Sequence, residues 1–271
     1  MIERLVSAIE DHLELPAVNF PQIPIQSMDD IETAAAAARL HWGLGSAGPI
    51  TSMMRVVENA GAVVTNFGDL SERVDALSMD RPRPIIVRSS TKQSLCRQRF
   101  DLAHECGHLV MHRAVLTGDR ATEDQAHRFA GAFLVPAAAM LREFPRGVRL
   151  NWRAIFEMKL RWKVSARALI RRAFDLKILT PAQYRSANIK LVRDGYTKLE
   201  PYDDQLAMEE PELLNTALDA VVEAGPAAAW GLAEEVGIGE RMFELLTGRT
   251  LPPPLLDLSD PKIVDLGKFR R

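Results

Sequence analysis

The most constraining feature of this chain is the pentapeptide His104-Glu105-Cys106-Gly107-His108, a His-Glu-x-x-His pattern inside a run with helical spacing. Residues i and i+4 share one face of a helix, so both imidazoles can reach a single ion, while Glu105 is offset toward a water on that ion. Zinc lowers the pKa of a water that it binds from about 15.7 to roughly 7, and a neighbouring carboxylate can then accept the proton. The pattern therefore predicts a metal site at His104 and His108, with Glu105 as the catalytic base.

A third protein ligand is expected on the next helix, because a catalytic zinc usually has three protein ligands and one open position. That helix is predicted over residues 122–135. Glu123 is the preferred ligand on spacing, since it lies 15 positions after His108. Asp124 and His127 remain alternatives, because a carboxylate one residue along or an imidazole one turn along could also face the ion. Zn²⁺ is the expected cofactor, and Mn²⁺ also suits two histidines and a glutamate.

Short alternating apolar segments precede the motif, at residues 62–65, 74–77 and 84–87, and they predict strands. Strands followed by two helices predict the α+β class, with a small mixed sheet and an active-site helix followed by mainly helical C-terminal regions. The segment 84–87 is β-branched and stands a few residues before the motif. It could be an edge strand that binds extended substrate or, equally, an interior strand of the core.

Composition and cysteine usage limit the class of protein. The chain has 271 residues, of which 47% are hydrophobic and 26% are charged, close to the globular average. Cys96 and Cys106 are its two cysteines, ten positions apart on one predicted helix, a poor disulfide framework that predicts a reducing compartment, the cytoplasm. No stretch of about 18 apolar residues occurs, and the acidic N-terminus lacks a secretory signal pattern, so we expect neither export nor membrane insertion.

Charge is segregated along the chain. Residues 142–193 hold fourteen Lys or Arg against three acids, a local charge of +11, whereas residues 200–271 reach −9. We therefore divide the chain into an N-terminal helical segment, a metallopeptidase domain, a basic helix-turn-helix-like region and an acidic helical C-terminal region, at residues 1–48, 49–141, 142–199 and 200–271. The segment 164–170 resembles the second helix of a helix-turn-helix, which predicts DNA contact with Arg171 and Arg172 on phosphates. The alternative is a solvated face, or one that pairs with the acidic region.

Two sequence blocks are similar to a known family. The run RFDLAHECGHL at residues 99–109, followed by EDQAHRFA at 123–130 and LVP at 134–136, resembles the ImmA/IrrE metallopeptidases. The resemblance covers roughly residues 30–195. It implies a zincin-like fold and a peptidase that cleaves bacterial or phage repressor proteins to release stress or mobile-element genes. It also implies Glu123 as the third ligand, and a helix-turn-helix repressor as the protein substrate.

Three further residues in or near the motif also have predicted roles. Cys106 stands where the family usually has an aliphatic residue, and its i+2 offset from His104 predicts a small buried hydrophobe. His127 stands where Asn or Asp is common, and we expect it to support a ligating imidazole. His112 lies one turn beyond His108 and is expected only to continue that helix face.

Two function classes stay open at this level. The first is an endopeptidase acting on a regulatory protein, and the second is a DNA-binding or scaffold regulator that keeps a structural metal site. Glu105 favours the peptidase, because a structural zinc has four closed protein ligands and no use for that carboxylate. Family members often carry an N-terminal repressor-like domain. This chain starts without one, so we expect a separately encoded partner.

Overall fold

The computed structural model describes residues 1–67, 76–79, 82–89, 94–113, 115 and 117–253. Residues 74 and 75 of the predicted strand 74–77, and residues 254–271 of the acidic region, lie outside the described residues. The chain divides into two compact units, one formed by residues 14–214 and the other by residues 1–13 together with residues from 215 onward. Each unit is described separately below.

The regular elements follow one another as strands flanked by helices. Along the described chain they are α1 (Ile2–His12), α2 (Asp30–His41), α3 (Met53–Asn59), β1 (Val63–Phe67), β2 (Ala76–Met79), β3 (Ile85–Ser89), α4 (Leu95–Met111), α5 (Arg120–Leu134), α6 (Ala137–Glu143), α7 (Trp152–Trp162), α8 (Ala166–Asp175), α9 (Pro181–Arg193), a 3-10 turn (Asp203–Gln205), α10 (Leu213–Glu223), α11 (Pro226–Val236) and α12 (Glu240–Thr247). This order confirms the α+β class with a mainly helical C-terminal half.

The sheet has the strand order β1-β3-β2. β3 runs parallel to β1, with Val63 opposite Ile85, and antiparallel to β2, with Ala76 opposite Arg88. The sheet is therefore mixed, as expected. Because β3 is hydrogen-bonded on both sides, the edge-strand interpretation of residues 84–87 is wrong and the interior interpretation is right. β1 and β2 form the two edges of the sheet.

The core of the larger unit lies between the sheet and the helices around α4. α4 contacts α2, α3, β2 and β3, and α5 packs along it. Phe129 and Phe133 of α5 are buried, and their stacked rings have centroids 5.4 Å apart. Burial of aromatic rings of this size contributes most to a core of this kind. The two rings of α5 belong to the same buried cluster as Leu102 and Cys106 of α4, so this cluster joins the two helices.

Buried arginines join distant segments of the larger unit. Arg99 is fully buried and pairs with Glu209, whose other carboxylate oxygen accepts the backbone N–H groups of Met53 at 2.7 Å and Met54 at 2.9 Å. Arg88 is 2% exposed and donates to the carbonyl oxygen of Glu209 at 3.2 Å. We call residues 208–212 the acidic strap. The carboxylate of Glu209 neutralises the buried charge of Arg99, and its carbonyl oxygen accepts a hydrogen bond from Arg88.

The basic region has the expected helix pair, but one arginine is not available to DNA. Arg172 of α8 is 2% exposed, pairs with both carboxylate oxygens of Glu32 in α2, and donates to the carbonyl oxygen of Val135 at 3.1 Å. The prediction that Arg172 contacts phosphate is therefore wrong, because a carboxylate 140 positions away in the chain binds it inside the unit. Arg171 is exposed and pairs with Asp175 at 2.9 Å.

In the smaller unit α1 packs against α11. Its polar contacts include one between His12 Nε2 and Glu235 Oε2 at 3.2 Å, on the exposed surface. Among the described residues of the chain, no helix combines the length and the apolar character that crossing a bilayer requires.

Candidate metal centre

Two helices bring three candidate ligands together. The i, i+4 spacing in α4 stacks the rings of His104 and His108 on one face, with their Nε2 atoms 3.1 Å apart. Glu123 lies in the first turn of α5, where one carboxylate oxygen is 3.1 Å from His104 Nε2 and the other is 3.4 Å from His108 Nε2. The sequence prediction that these three side chains share one site agrees with this geometry.

The start of α5 determines where Glu123 points. The helix begins at Arg120, two residues before the predicted position, because Asp119 is the capping residue and its carboxylate accepts the backbone N–H of Thr122 at 2.7 Å. These hydrogen bonds to the carboxylate, from the backbone and the hydroxyl of Thr122, lower the pKa of Asp119. The cap therefore remains charged at neutral pH and holds the first turn that carries Glu123.

The donor set fits a small divalent ion. Tetrahedral zinc with bonds of about 2.0–2.2 Å holds its ligand atoms roughly 3.3–3.5 Å apart. The two Nε2 atoms are 3.1 Å apart, and Glu123 approaches one of them with Oε2 at 3.1 Å and the other with Oε1 at 3.4 Å. In the described part of the chain the group consists of His104, His108 and Glu123. Three donors of this type leave a coordination position open, which is the arrangement of catalytic rather than structural zinc.

The alternatives to Glu123 lie outside this group. Asp124 is exposed and faces Arg120, with 3.7 Å between the charged atoms. The ring of His127 packs edge-on against the ring of His104, with 4.4 Å between the ring centroids. Nδ1 of His127 lies 2.8 Å from the carbonyl oxygen of Glu123. His127 thus contacts two members of the group from outside, in keeping with the supporting role expected of it.

Glu105 and Cys106, two of the three residues between the histidines, have different environments. Glu105 follows His104 directly on α4 and is 6% exposed, so it is largely screened from solvent. Cys106 is fully buried, and burial raises the pKa of its thiol far above the ordinary range. The neutral thiol is a small packed hydrophobe, as predicted.

His108 is held on its outer side by residues whose role the sequence analysis missed. Its Nδ1 lies 2.9 Å from Nδ1 of His112, and Nε2 of His112 lies 2.8 Å from Oε1 of Gln125 on α5. The repeated spacing of four at positions 104, 108 and 112 was the available sequence signal. Burial, together with the nearby His112 and His127, lowers the pKa of His108 to about 4. The ring is neutral at pH 7, the form that binds metals.

A protein-family model matches the part of the chain that contains the ligand group. Residues 57–174 match the family model described as Peptidase_M78, IrrE N-terminal-like domain, and this span contains the motif helix α4 and the helix α5 that carries Glu123. The comparison with curated proteins gave no match. Residues 57–174 are therefore similar to the IrrE N-terminal-like domain of the M78 peptidases. The α+β fold described above is consistent with the zincin-like fold implied by the resemblance to the ImmA/IrrE family.

Proposed function

We propose that this protein is a zinc-dependent endopeptidase with His104, His108 and Glu123 as metal ligands and Glu105 as the general base. The observation that carries the proposal is the convergence of three donor atoms from two helices, with Glu105 next to His104 in the sequence of the motif helix. Membership of the matched domain in a metallopeptidase family supports metal-dependent proteolysis in general. Zinc is the metal that the two imidazoles and one carboxylate favour, and manganese would fit the same donors.

The residues have distinct tasks in this proposal. A bound divalent ion would supply Lewis-acid activation of a water and of the scissile carbonyl. Glu105 accepts the proton of that water at its carboxylate and returns it to the leaving nitrogen, a contribution that general acid–base catalysis puts at about 10² to 10⁴ in rate. Its low exposure strengthens its electrostatic coupling to the cluster, since charges interact more strongly away from bulk water.

The substrate in this proposal is a helix-turn-helix repressor in the cytoplasm. The resemblance to the ImmA/IrrE peptidases supports a regulatory protein substrate, and the two buried, unpaired cysteines fit a reducing compartment. β2 is an edge strand of the described sheet and lies against α4. We propose that an extended segment of the repressor pairs with this edge, where backbone hydrogen bonds would align it beside the ligand group.

The regulator alternative has less support. A structural zinc needs four closed ligands, whereas the group among the described residues has three. Arg172, one of the two arginines expected on DNA, is buried. If the exposed residues of region 142–199 do bind DNA, affinity should fall steeply with salt, because each neutralised phosphate releases counterions. The division into regions 1–48, 49–141, 142–199 and 200–271 also remains a proposal.

The test is incubation of the full chain with purified helix-turn-helix repressors encoded in the same genome. Glu105→Gln removes the proton acceptor but keeps the size of the side chain, so zinc content and thermal midpoint should stay at the wild-type value while cleavage collapses. Glu157→Gln, an exposed glutamate of α7, is the matched control and should cleave normally. His104→Ala should lose zinc and cleavage together. Wild-type cleavage by zinc-loaded Glu105→Gln would overturn the role of Glu105 as the base, whereas no cleavage of any repressor by the zinc-loaded wild type would favour the regulator.

A further inference from the structure

His112 connects one candidate ligand to the second helix of the site. It is 6% exposed, and both of its ring nitrogens are engaged, Nδ1 with His108 Nδ1 at 2.9 Å and Nε2 with Gln125 Oε1 at 2.8 Å. The three side chains thus form a continuous hydrogen-bonded row from the ligand group to α5. A buried polar side chain whose two polar atoms both have partners is fixed in position as well as satisfied.

The hydrogen bonds among His108, His112 and Gln125 determine which ring nitrogens carry a hydrogen. An amide oxygen only accepts, so Nε2 of His112 carries the hydrogen that Gln125 Oε1 receives. In the neutral form of His112 that N–H is the one hydrogen on the ring nitrogens, and Nδ1 is an acceptor. The 2.9 Å contact must then be donated by His108 Nδ1–H. His108 is left with an unprotonated Nε2, and this is the atom that faces His104 and Glu123.

We infer that His112, held by Gln125, is a positioning residue that sets the tautomer and ring orientation of His108, so that Nε2 is presented to the metal. The inference rests on the proposed function for its consequence, zinc binding, but the tautomer itself is a property of the chain without metal. Outer partners of ligating histidines typically change metal affinity by about 10- to 100-fold when they are lost.

A packing role for His112 makes a different prediction. If its ring served only to fill space in the core, an apolar side chain of similar size would replace it without consequence for His108. His112→Leu and His112→Asn separate the two roles, because the branched side chains are nearly equal in shape. Only Asn keeps an acceptor close to the position of the original Nδ1. On α5, Gln125→Leu removes the acceptor for His112, and Gln125→Glu keeps one.

The first readout is zinc affinity of the full-length variants, measured by competition with a chromophoric chelator. We expect His112→Leu to weaken zinc binding by about 10- to 100-fold. His112→Asn should recover most of that loss, Gln125→Leu should fall between the two, and Gln125→Glu should bind at about the wild-type affinity. Equal affinities for Leu and Asn at position 112, with both folded by circular dichroism, would overturn the inference.

The second readout does not depend on zinc or on peptidase activity. In the chelator-treated full chain labelled with ¹⁵N-histidine, long-range ¹H–¹⁵N correlation spectra distinguish protonated from bare ring nitrogens. We expect His108 to carry its hydrogen on Nδ1 in the wild type and in His112→Asn, and to populate the other tautomer in His112→Leu. A wild-type His108 protonated on Nε2 would overturn the inference. A wild-type protein that shows the expected tautomer but binds no zinc would instead refute the proposed function.

Discussion

Gly107 of α4 lies directly against the ring of Phe129 of α5. A methyl group on Gly107 would be 3.0 Å from Cδ1 of Phe129 and 3.2 Å from its Cβ and Cγ, closer than side-chain carbons ordinarily approach. Phe129 is fully buried and stacked on Phe133, so it has little room to withdraw. The glycine inside the metal motif therefore permits the helix approach that brings Glu123 to the histidines.

Gly107→Ala should destabilise the protein even though alanine is the better helix former. Overpacking a core typically costs about 1–3 kcal/mol. Each kcal/mol lost lowers the thermal midpoint by roughly 2–4 °C for a unit of this size. Gly131→Ala in α5 is the matched control, because its added methyl would meet only Arg172 Cδ at an ordinary 3.5 Å. That change should be neutral or stabilise by up to about 1 kcal/mol. Equal midpoints for the two variants, measured by calorimetry, would contradict the packing argument.

Glu123→Gln should lower metal content much more than Asp124→Asn. The carboxylate of Glu123 is within 3.4 Å of both histidine nitrogens, whereas Asp124 is exposed and faces Arg120. Loss of a ligand should exceed the roughly 10- to 100-fold cost of losing an outer partner. Metal stoichiometry after dialysis against a weak chelator measures the difference. A similar loss in both variants would place the third ligand elsewhere.

Arg172→Ala should destabilise the chain far more than Arg171→Ala, although the two residues are adjacent. Removing Arg172 leaves Glu32 and the carbonyl of Val135 without their buried donor, which costs about 3 kcal/mol for a largely buried pair. Arg171 is exposed, and its pair with Asp175 is worth about 0–1 kcal/mol. Urea unfolding of both variants provides the comparison. A marginal effect at Arg172 would mean that the pair with Glu32 does not persist in solution.

Glu58 should make stability depend on pH in the weakly acidic range. Burial raises its pKa from 4.5 to about 7, while backbone N–H groups of Leu213 and Glu212 act in the opposite direction. The folded state thus binds the Glu58 proton more tightly than the unfolded state does. This contribution is complete below pH 4.5 and is lost as the pH rises to about 7.

Glu58→Gln tests this dependence, because the amide keeps an acceptor but does not titrate. Relative to the variant, the wild type should lose free energy of unfolding between pH 4.5 and 7 and change little above pH 8. Unfolding in urea at several pH values measures the difference between the two proteins, in which the contributions of other titrating groups cancel. A difference that is constant with pH would show that Glu58 titrates near its ordinary value.

The local parts of the site could be predicted from the sequence. His104, Glu105 and His108 need only the periodicity of one helix, and Glu123 needs a second helix that returns to the first. His112 was visible at the same spacing of four, but its role depends on Gln125, whose position follows from how α5 packs on α4. The assignment of ligands remains a prediction that the metal measurements above will test.

Other features depended on long-range contacts. The β-branched residues of β3 are compatible with an edge or an interior strand, and the choice is made by pairing with β1 and β2. Similarly, the basic pattern around Arg172 resembles a DNA-reading helix. A single partner in α2, Glu32, converts this arginine into part of the interior. Local periodicity carries no information about such a partner.

The acidic strap lies outside the segment that matches the family model, but it contacts two arginines inside that segment. The family match ends at residue 174. Arg88 and Arg99 inside it nevertheless contact Glu209, which lies 35 positions beyond that end. A fragment cut to the matched boundaries would retain the ligand group but leave two interior guanidinium groups without that carboxylate and carbonyl. Recombinant work on the matched segment should therefore extend to residue 214, where the larger unit ends. The segment that matches the family model is thus shorter than the compact unit that contains it.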